Sequence, residues 1–145
     1  MNLQTTTFLA MLCLLPLLFR DARGWTGEIR GRVVCDVCGD SSFGPEDHTL
    51  EGAEVAVLCI TKSGEVVNYQ AFTNSRGLYK VAETMPESER WDSCLARPIS
   101  SFSEHCTHLG HGSAGFKFSY NHPSGYFHTV KPFVYKPVEV PTYCM

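Results

Sequence analysis

The sequence predicts a small all-β protein: an antiparallel β-sandwich or barrel of Greek-key type, stapled by three disulfides. Short segments in which apolar and polar residues alternate recur at intervals of roughly 8 to 15 residues, with turn residues between them and no sustained helical period. Seven cysteines in 145 residues are the second observation. A chain of this length is sufficient for one compact domain.

The N-terminal segment predicts a signal peptide. Residues 8–19 form an apolar run (FLAMLCLLPLLF) of about 12 residues, shorter than the roughly 20 that cross a bilayer. Ala22 and Gly24 are small residues that suit the −3 and −1 positions of a cleavage site. We therefore expect residues 1–24 to be the signal peptide and residues 25–145 to be one secreted domain. No second apolar run approaches that length, so no membrane span is expected.

Removal of the leader leaves an even number of cysteines. Cys13 lies in the leader. An even set in an exported chain predicts disulfides, and the sequence alone leaves 15 pairings of six cysteines open. Loss of Arg20, Arg23 and Asp21 changes the net charge from −3 to −4. That balance argues against nucleic acid or an anionic membrane as a partner. The remaining cysteines are Cys35, Cys38, Cys59, Cys94, Cys106 and Cys144.

The first half of the domain contains the clearest strand patterns. Residues 28–35 and 53–60 alternate with the period of half-buried strands. Residues 65–73 are rich in β-branched and aromatic types, and the turn at 74–77 (NSRG) leads to a further strand at 78–81, which predicts a strand–turn–strand unit. The faces expected to be buried are Ile29, Gly31, Val33 and Cys35 in the first strand and Ala53, Val55, Val57 and Cys59 in the second.

Two segments in the middle of the chain are less regular. Residues 85–95 suit either a short helix, in which Pro86 occupies the first turn, or a turn that leads into a strand through Cys94. Residues 100–113 are polar and glycine-rich without a period, which indicates a long loop anchored at Cys106.

The last third predicts a second hairpin and an extended tail. Residues 116–120 alternate with Phe116, Phe118 and Tyr120 on the face expected to be buried, and a turn separates them from residues 126–130. Residues 131–145 contain three prolines, which delete backbone donors, so we expect an edge strand followed by a tail that Cys144 ties down.

A family resemblance is carried by residues 31–38 (GRVVCDVC), by residues 50–55 (LEGAEV) and by the spacing of the four later cysteines. This pattern resembles the pollen Ole e 1 allergen and extensin family of secreted plant proteins, over about residues 27–144. The resemblance implies three disulfide pairs: Cys35–Cys106, Cys38–Cys144 and Cys59–Cys94.

The resemblance also implies a location and a function. It places the protein in the extracellular space or cell wall as a non-enzymatic protein that binds wall polysaccharide, pectic or arabinogalactan, as a structural module. The alternative that it implies is an extracellular ligand of a receptor kinase in pollen tube or other growth signalling, which would bind a receptor ectodomain and no glycan.

Histidines and tyrosines supply the candidate ligand surface. His105, His108 and His111 are spaced i, i+3, i+6, and imidazoles at that spacing would converge on a transition metal if the loop folded around it, with His122 and His128 as further members. An exposed polar loop is favoured over a metal site, and its histidines, when protonated, would contact anionic polysaccharide. We expect sugar contacts also from tyrosines whose hydroxyls reach the surface. These tyrosines are Tyr126, Tyr135 and Tyr143.

No catalytic or cofactor site is expected. The CxxC motif at Cys35 and Cys38 follows an alternating strand, which favours structural disulfides over redox or zinc chemistry. Glu46, Asp47 and His48 are neighbours in the sequence, but no partner nucleophile can be identified for them and no GxSxG motif occurs.

Overall fold

The computed structural model describes residues 24–40, 44–109 and 114–144. The expected signal peptide lies outside these residues apart from Gly24. The described strands are β1 (Gly24–Cys35), β2 (His48–Thr49), β3 (Glu54–Thr61), β4 (Val66–Phe72), β5 (Leu78–Pro86), β6 (Trp91–Ser100), β7 (His108–Leu109), β8 (Phe116–Ser119), β9 (Phe127–Thr129) and β10 (Phe133–Lys136), with 3₁₀ turns at Glu87–Glu89 and Thr142–Cys144.

The strands form two sheets packed as a sandwich. In the larger sheet the order is β2-β1-β10-β7, and β5 and β9 also pair with β1. The smaller sheet has the order β4-β3-β6-β8 and is antiparallel throughout. The all-β prediction is confirmed, and of its two forms the sandwich is correct. One feature was not expected: β1 pairs with β9 and β10 in parallel.

The core lies between the sheets where the alternating patterns predict it. Ile29 and Val33 of β1, and Val55 and Val57 of β3, are fully buried, as expected for the inward positions of half-buried strands. At one end of the sandwich Trp25 packs edge-to-face against Trp91 of the opposite sheet, with ring centroids 5.5 Å apart. Aromatic contacts of this kind stabilise the packing of the two sheets in addition to the burial of apolar area.

The prediction of a second hairpin is wrong. β8 pairs with β6 in the smaller sheet, whereas β9 pairs with β1 in the larger sheet. The rings of Phe118 and His128 stack with centroids 4.1 Å apart, so the two strands face one another across the sandwich instead of pairing edge to edge. The earlier strand–turn–strand unit has the predicted turn, in which Gly77 N–H donates to the Asn74 carbonyl at 2.9 Å, but its strands also join different sheets.

One segment adopts the second of its two predicted forms, and the predicted edge strand takes a different position in the sheet. Residues 85–95 form a 3₁₀ turn between two strands, which is the turn-into-strand alternative. β10 lies between β1 and β7, so the expected edge strand is an inner one. Pro132 and Pro137 stand immediately outside β10, where their missing backbone donors do not interrupt the ladder.

Three disulfides link the described residues. They join Cys35 to Cys106, Cys38 to Cys144 and Cys59 to Cys94, at sequence separations of 71, 106 and 35. Cys59 and Cys94 are directly opposed on the paired strands β3 and β6. The other two bonds tie irregular segments to the end of β1 and the residues after it. Within the described ranges no helix is both long and apolar enough to traverse a bilayer.

Candidate functional site

The expected ligand surface is divided between the two ends of β1. His105 and His108 are exposed and flank Cys106, which is bonded to Cys35 at the end of β1. Tyr126 lies beside the beginning of β1. His111 lies outside the described residues. The structure therefore does not assemble these side chains into one site.

Tyr135 is a correction to the predicted surface. Its side chain is only 1% exposed, because Phe133 and Tyr135 are the inward positions of β10. Burial, with a smaller contribution from Glu54, raises the pKa of Tyr135. A ligand in solvent does not reach this ring. Tyr126 and Tyr143, in contrast, are 61% and 70% exposed, as expected.

A shallow cleft of about 270 Å³ lies next to Tyr126, and we call it the Tyr126 cleft. It forms on the outer face of the larger sheet, where β1 and β5 are antiparallel neighbours. Strand alternation brings outward residues of both strands to this face, so one carboxylate, hydroxyls and one guanidinium meet there. The residues that line it are Thr26, Gly27, Glu28, Arg30, Ala82, Glu83, Thr84, Gly125 and Tyr126.

Hydrogen bonds fasten the loop that carries Tyr126 to β1. Gly125 N–H donates to the Thr26 carbonyl at 3.0 Å, and Thr26 N–H donates to Ser124 Oγ at 2.9 Å. The Tyr120 hydroxyl lies 2.9 Å from the Tyr126 carbonyl and also accepts the N–H of Glu28. The exposed ring is thus presented from an ordered backbone.

The charges of the Tyr126 cleft are partly paired. Arg30 forms an ion pair with Glu28, and its guanidinium lies 3.8 Å from the centre of the Phe127 ring. Glu83 also borders the cleft, but it is directly opposite Gly27, whose Cβ position faces Trp25 and Trp91, so its side chain starts on the inner side of the sheet. The outward charges of the described lining are therefore one carboxylate and one guanidinium, which pair with each other. Glu28 and Arg30 occupy outward positions of a predicted strand, but the alternating pattern alone does not indicate that they border a cleft.

A larger cleft of about 780 Å³ lies at the other end of the sandwich, and we call it the acidic cleft. Val138 and Tyr143 expose 80% and 70% of their surface there. Its charged and polar lining contains carboxylates and imidazoles, and no lysine or arginine is among the described residues that line it. These titratable residues are Glu46, His48, Glu104, His105 and Glu139.

Asp47, which was considered for catalysis together with its neighbours Glu46 and His48, accepts hydrogen bonds from the backbone. Its carboxylate accepts the N–H groups of Val37 and Gly44, both at 2.7 Å. Ligand atoms of Asp36 and Asp40 lie within 4.8 Å of it. Since its oxygens bind these two backbone donors, Asp47 links Val37 to Gly44.

His122 and His128 are the two predicted histidines that the structure brings together. Nε2 of His122 lies 3.4 Å from Nδ1 of His128. The His128 ring stacks on Phe118, and the His122 ring packs at 90° to Tyr120 with centroids 4.8 Å apart. Burial, and next the neighbouring His122, lower the pKa of His128. Both rings are half-buried, so the pair is fixed by the core and reachable from solvent.

Comparison with known proteins gives one sequence relative. No family model matches the chain. The anther-specific protein LAT52 of Solanum lycopersicum is 28% identical over 106 residues, which cover 71% of this chain and 65% of that protein. The chain therefore spans just under two thirds of the length of the curated relative that it matches.

Solved structures add a fold relative. The major plantain pollen allergen Pla l 1 is similar with a TM-score of 0.58 and 20% identity, covering 81% of this chain and 98% of that one. The RrgB pilus protein of Streptococcus pneumoniae has a TM-score of 0.46 and 7% identity, covering 82% and 26%. The sequence relative and the pollen allergen together support the resemblance that the cysteine pattern predicts.

Proposed function

We propose, from the Ole e 1-like character of the chain, that it is a secreted, non-enzymatic protein of the extracellular space or cell wall that binds wall polysaccharide through the Tyr126 cleft. The observation that carries the proposal is the exposed Tyr126 ring beside a cleft lined by hydroxyls and by the Glu28–Arg30 ion pair. The disulfides are consistent with export, because such bonds persist in oxidising compartments. Both relatives carry names of anther or pollen proteins.

The chemistry of the Tyr126 cleft suits a sugar. A tyrosine ring offers an apolar face against which the C–H face of a pyranose packs, and its hydroxyl remains in water. Glu28 supplies acceptors for sugar hydroxyls, and Thr26 and Thr84 supply groups that both donate and accept. Because hydrogen bonds already hold the loop in place, binding orders less of the chain and costs less conformational entropy.

The charge of the lining narrows the class of sugar. The one guanidinium among the described lining residues, that of Arg30, is already paired with Glu28, so a polymer of uronic acids would find no free cation to bind its carboxylates. Neutral arabinogalactan or galactan chains need no such cation. Within the two polymer classes expected from the sequence, the neutral arabinogalactan type is the one that this cleft favours.

The test is direct binding of the oxidised protein to arabinogalactan and to polygalacturonate, measured by calorimetry. We expect binding to the neutral polymer, weakened about tenfold (~1.4 kcal/mol) by Tyr126→Ala because the stacking face is lost. Tyr143→Ala is the matched control, since Tyr143 is equally exposed but lies in the acidic cleft. Binding to polygalacturonate alone, or equal losses in both variants, contradicts the proposal.

The acidic cleft favours a second function, in which the protein is an extracellular ligand that binds a receptor ectodomain. Three glutamates without a lysine or arginine among the described lining residues complement a basic protein surface, and the exposed Val138 and Tyr143 add apolar contact. A weakly negative whole chain is compatible with such a partner.

One set of variants distinguishes the two functions. Binding to candidate receptor ectodomains should weaken in Glu46→Gln/Glu104→Gln and in Tyr143→Ala, and remain unchanged in Tyr126→Ala. If ectodomain binding occurs and glycan binding does not, the signalling function replaces the wall function.

A further inference from the structure

We propose that His122 and His128 form a two-histidine binding site for Zn²⁺. Their facing nitrogens, Nε2 and Nδ1, are 3.4 Å apart. Neutral imidazole is a preferred ligand of zinc and other late first-row metals. The site lies between β9 and the loop that precedes it, away from both the exposed His105 and the exposed His108.

The separation of the nitrogens matches zinc geometry. With Zn–N bonds of about 2.0–2.1 Å, two nitrogens 3.4 Å apart subtend an angle of about 110° at the metal, close to tetrahedral. A square-planar Cu²⁺ site would require the nitrogens to be about 2.9 Å apart. Zinc therefore fits with the smaller rearrangement: the hydrogen bond between the rings is replaced by two bonds to the metal. The ring that donated the hydrogen bond changes tautomer through solvent and then carries its proton on the nitrogen that faces away from the metal, so both imidazoles stay neutral.

The surroundings keep the two rings in place and favour the form that binds metal. Phe118 stacks on His128 with an interplanar angle of 4°, which fixes the plane of that ring. Tyr120 holds His122 by an edge-to-face contact, and the carbonyl of His122 accepts the indole N–H of Trp25 at 3.2 Å. Burial lowers the pKa of His128, so its imidazole is neutral over a wider pH range.

Water would complete the coordination. Among the described residues, the one cluster of three carboxylate, imidazole or thiolate ligands is formed by Asp36, Asp40 and Asp47, so no third protein ligand of these types joins the histidines. A metal with two protein ligands and two waters binds less tightly than a closed four-ligand structural zinc. We therefore expect reversible binding.

The first test is a titration of the metal-stripped, oxidised protein with Zn²⁺ by calorimetry. We expect one equivalent of Zn²⁺ to bind, and His122→Asn and His128→Asn each to weaken binding at least tenfold. The matched control is His105→Asn/His108→Asn, which should leave the affinity unchanged. Ca²⁺ and Mg²⁺ should not compete, because they prefer oxygen ligands.

The second test needs no substitution, so it does not depend on how well a variant folds. In the wild-type protein, ring ¹⁵N resonances of His122 and His128 should shift with added Zn²⁺ while those of His105 and His108 do not. Absence of one-equivalent binding, or shifts confined to His105 and His108, overturns the proposal. The outcome is independent of glycan binding, because Tyr126 takes no part in the coordination.

Discussion

Two buried tyrosines of the core differ in how their hydroxyls are accommodated. The Tyr120 hydroxyl accepts the N–H of Glu28 at 2.9 Å and lies within hydrogen-bonding distance of two carbonyls. The Tyr79 hydroxyl has no hydrogen-bond partner among the described residues. Burial raises the pKa of both groups, and that of Tyr79 most strongly. The two tyrosines are buried to a similar extent, but we expect the hydroxyl of Tyr120 to stabilise the fold and that of Tyr79 not to.

We expect Tyr120→Phe to lower the free energy of unfolding by about 1–3 kcal/mol, because it leaves the Glu28 N–H without its partner. Tyr79→Phe should change it by less than about 0.5 kcal/mol or raise it, since the removed hydroxyl makes no hydrogen bond to a described residue. Urea unfolding at neutral pH measures both. A larger loss in Tyr79→Phe than in Tyr120→Phe would contradict this assignment.

At this scale the sequence predicts burial better than it predicts sites. Alternation correctly places Phe116, Phe118 and Tyr120 on an inward face. Tyr135 follows the same alternation in β10 and is buried, so the prediction that its hydroxyl reaches the surface is wrong. The contact between His122 and His128 depends on a reversal of the chain and on stacking across the sandwich, neither of which residue spacing reveals.

At the scale of elements, β1 depends on a glycine that faces an aromatic ring. Gly31 and Tyr79 are directly opposed on β1 and β5, and the Tyr79 ring covers the glycine so closely that an added Cβ would overlap it. The ring shields a strand position that has no side chain of its own. This contact packs β1 against β5, the two strands that also form the Tyr126 cleft.

We expect Gly31→Ala to reduce the free energy of unfolding by about 1–3 kcal/mol through overpacking. In the double variant Gly31→Ala/Tyr79→Leu the cost of the alanine should shrink, because leucine lacks the overlapping ring atoms. A double-mutant cycle by urea unfolding measures this coupling. Additive effects would show that the strain lies elsewhere.

Strands were predictable here and their partners were not. Alternation depends on neighbouring residues, so it locates β1, β3 and β8 along the chain. Sheet partners depend on where each connection leads, and two turns with the composition of hairpins carry the chain from one sheet to the other. The parallel pairing of β1 with β9 and β10 joins residues about one hundred positions apart, beyond any local pattern.

At the scale of the whole molecule, the disulfides have two distinct roles. Cys59–Cys94 reinforces a strand pair that already exists. Cys38–Cys144 holds the end of the chain, which has little regular structure, against the segment after β1, and it closes the longest loop, with a separation of 106 residues. Both of its cysteines are half-buried, so their replacement leaves little cavity.

We expect Cys38→Ala/Cys144→Ala to lower the free energy of unfolding by about 3–5 kcal/mol, as the chain-entropy account predicts for a loop of that length. Denaturant unfolding of the variant and the wild type provides the comparison. Peptide mapping under non-reducing conditions should first recover Cys38 linked to Cys144, Cys35 to Cys106 and Cys59 to Cys94. Recovery of any other pairing would contradict both the fold and the family resemblance.

The central position of β1 has a consequence for synthesis. β1 is the first of the described strands to be made, yet the strands that flank it on one edge, β9 and β10, are the last two of them. The smaller sheet is complete once β8 has emerged, whereas the larger sheet must wait for Lys136. Long-range pairings form slowly. During synthesis, one edge of β1 therefore stays unpaired until both β9 and β10 have been made, long after β1 itself.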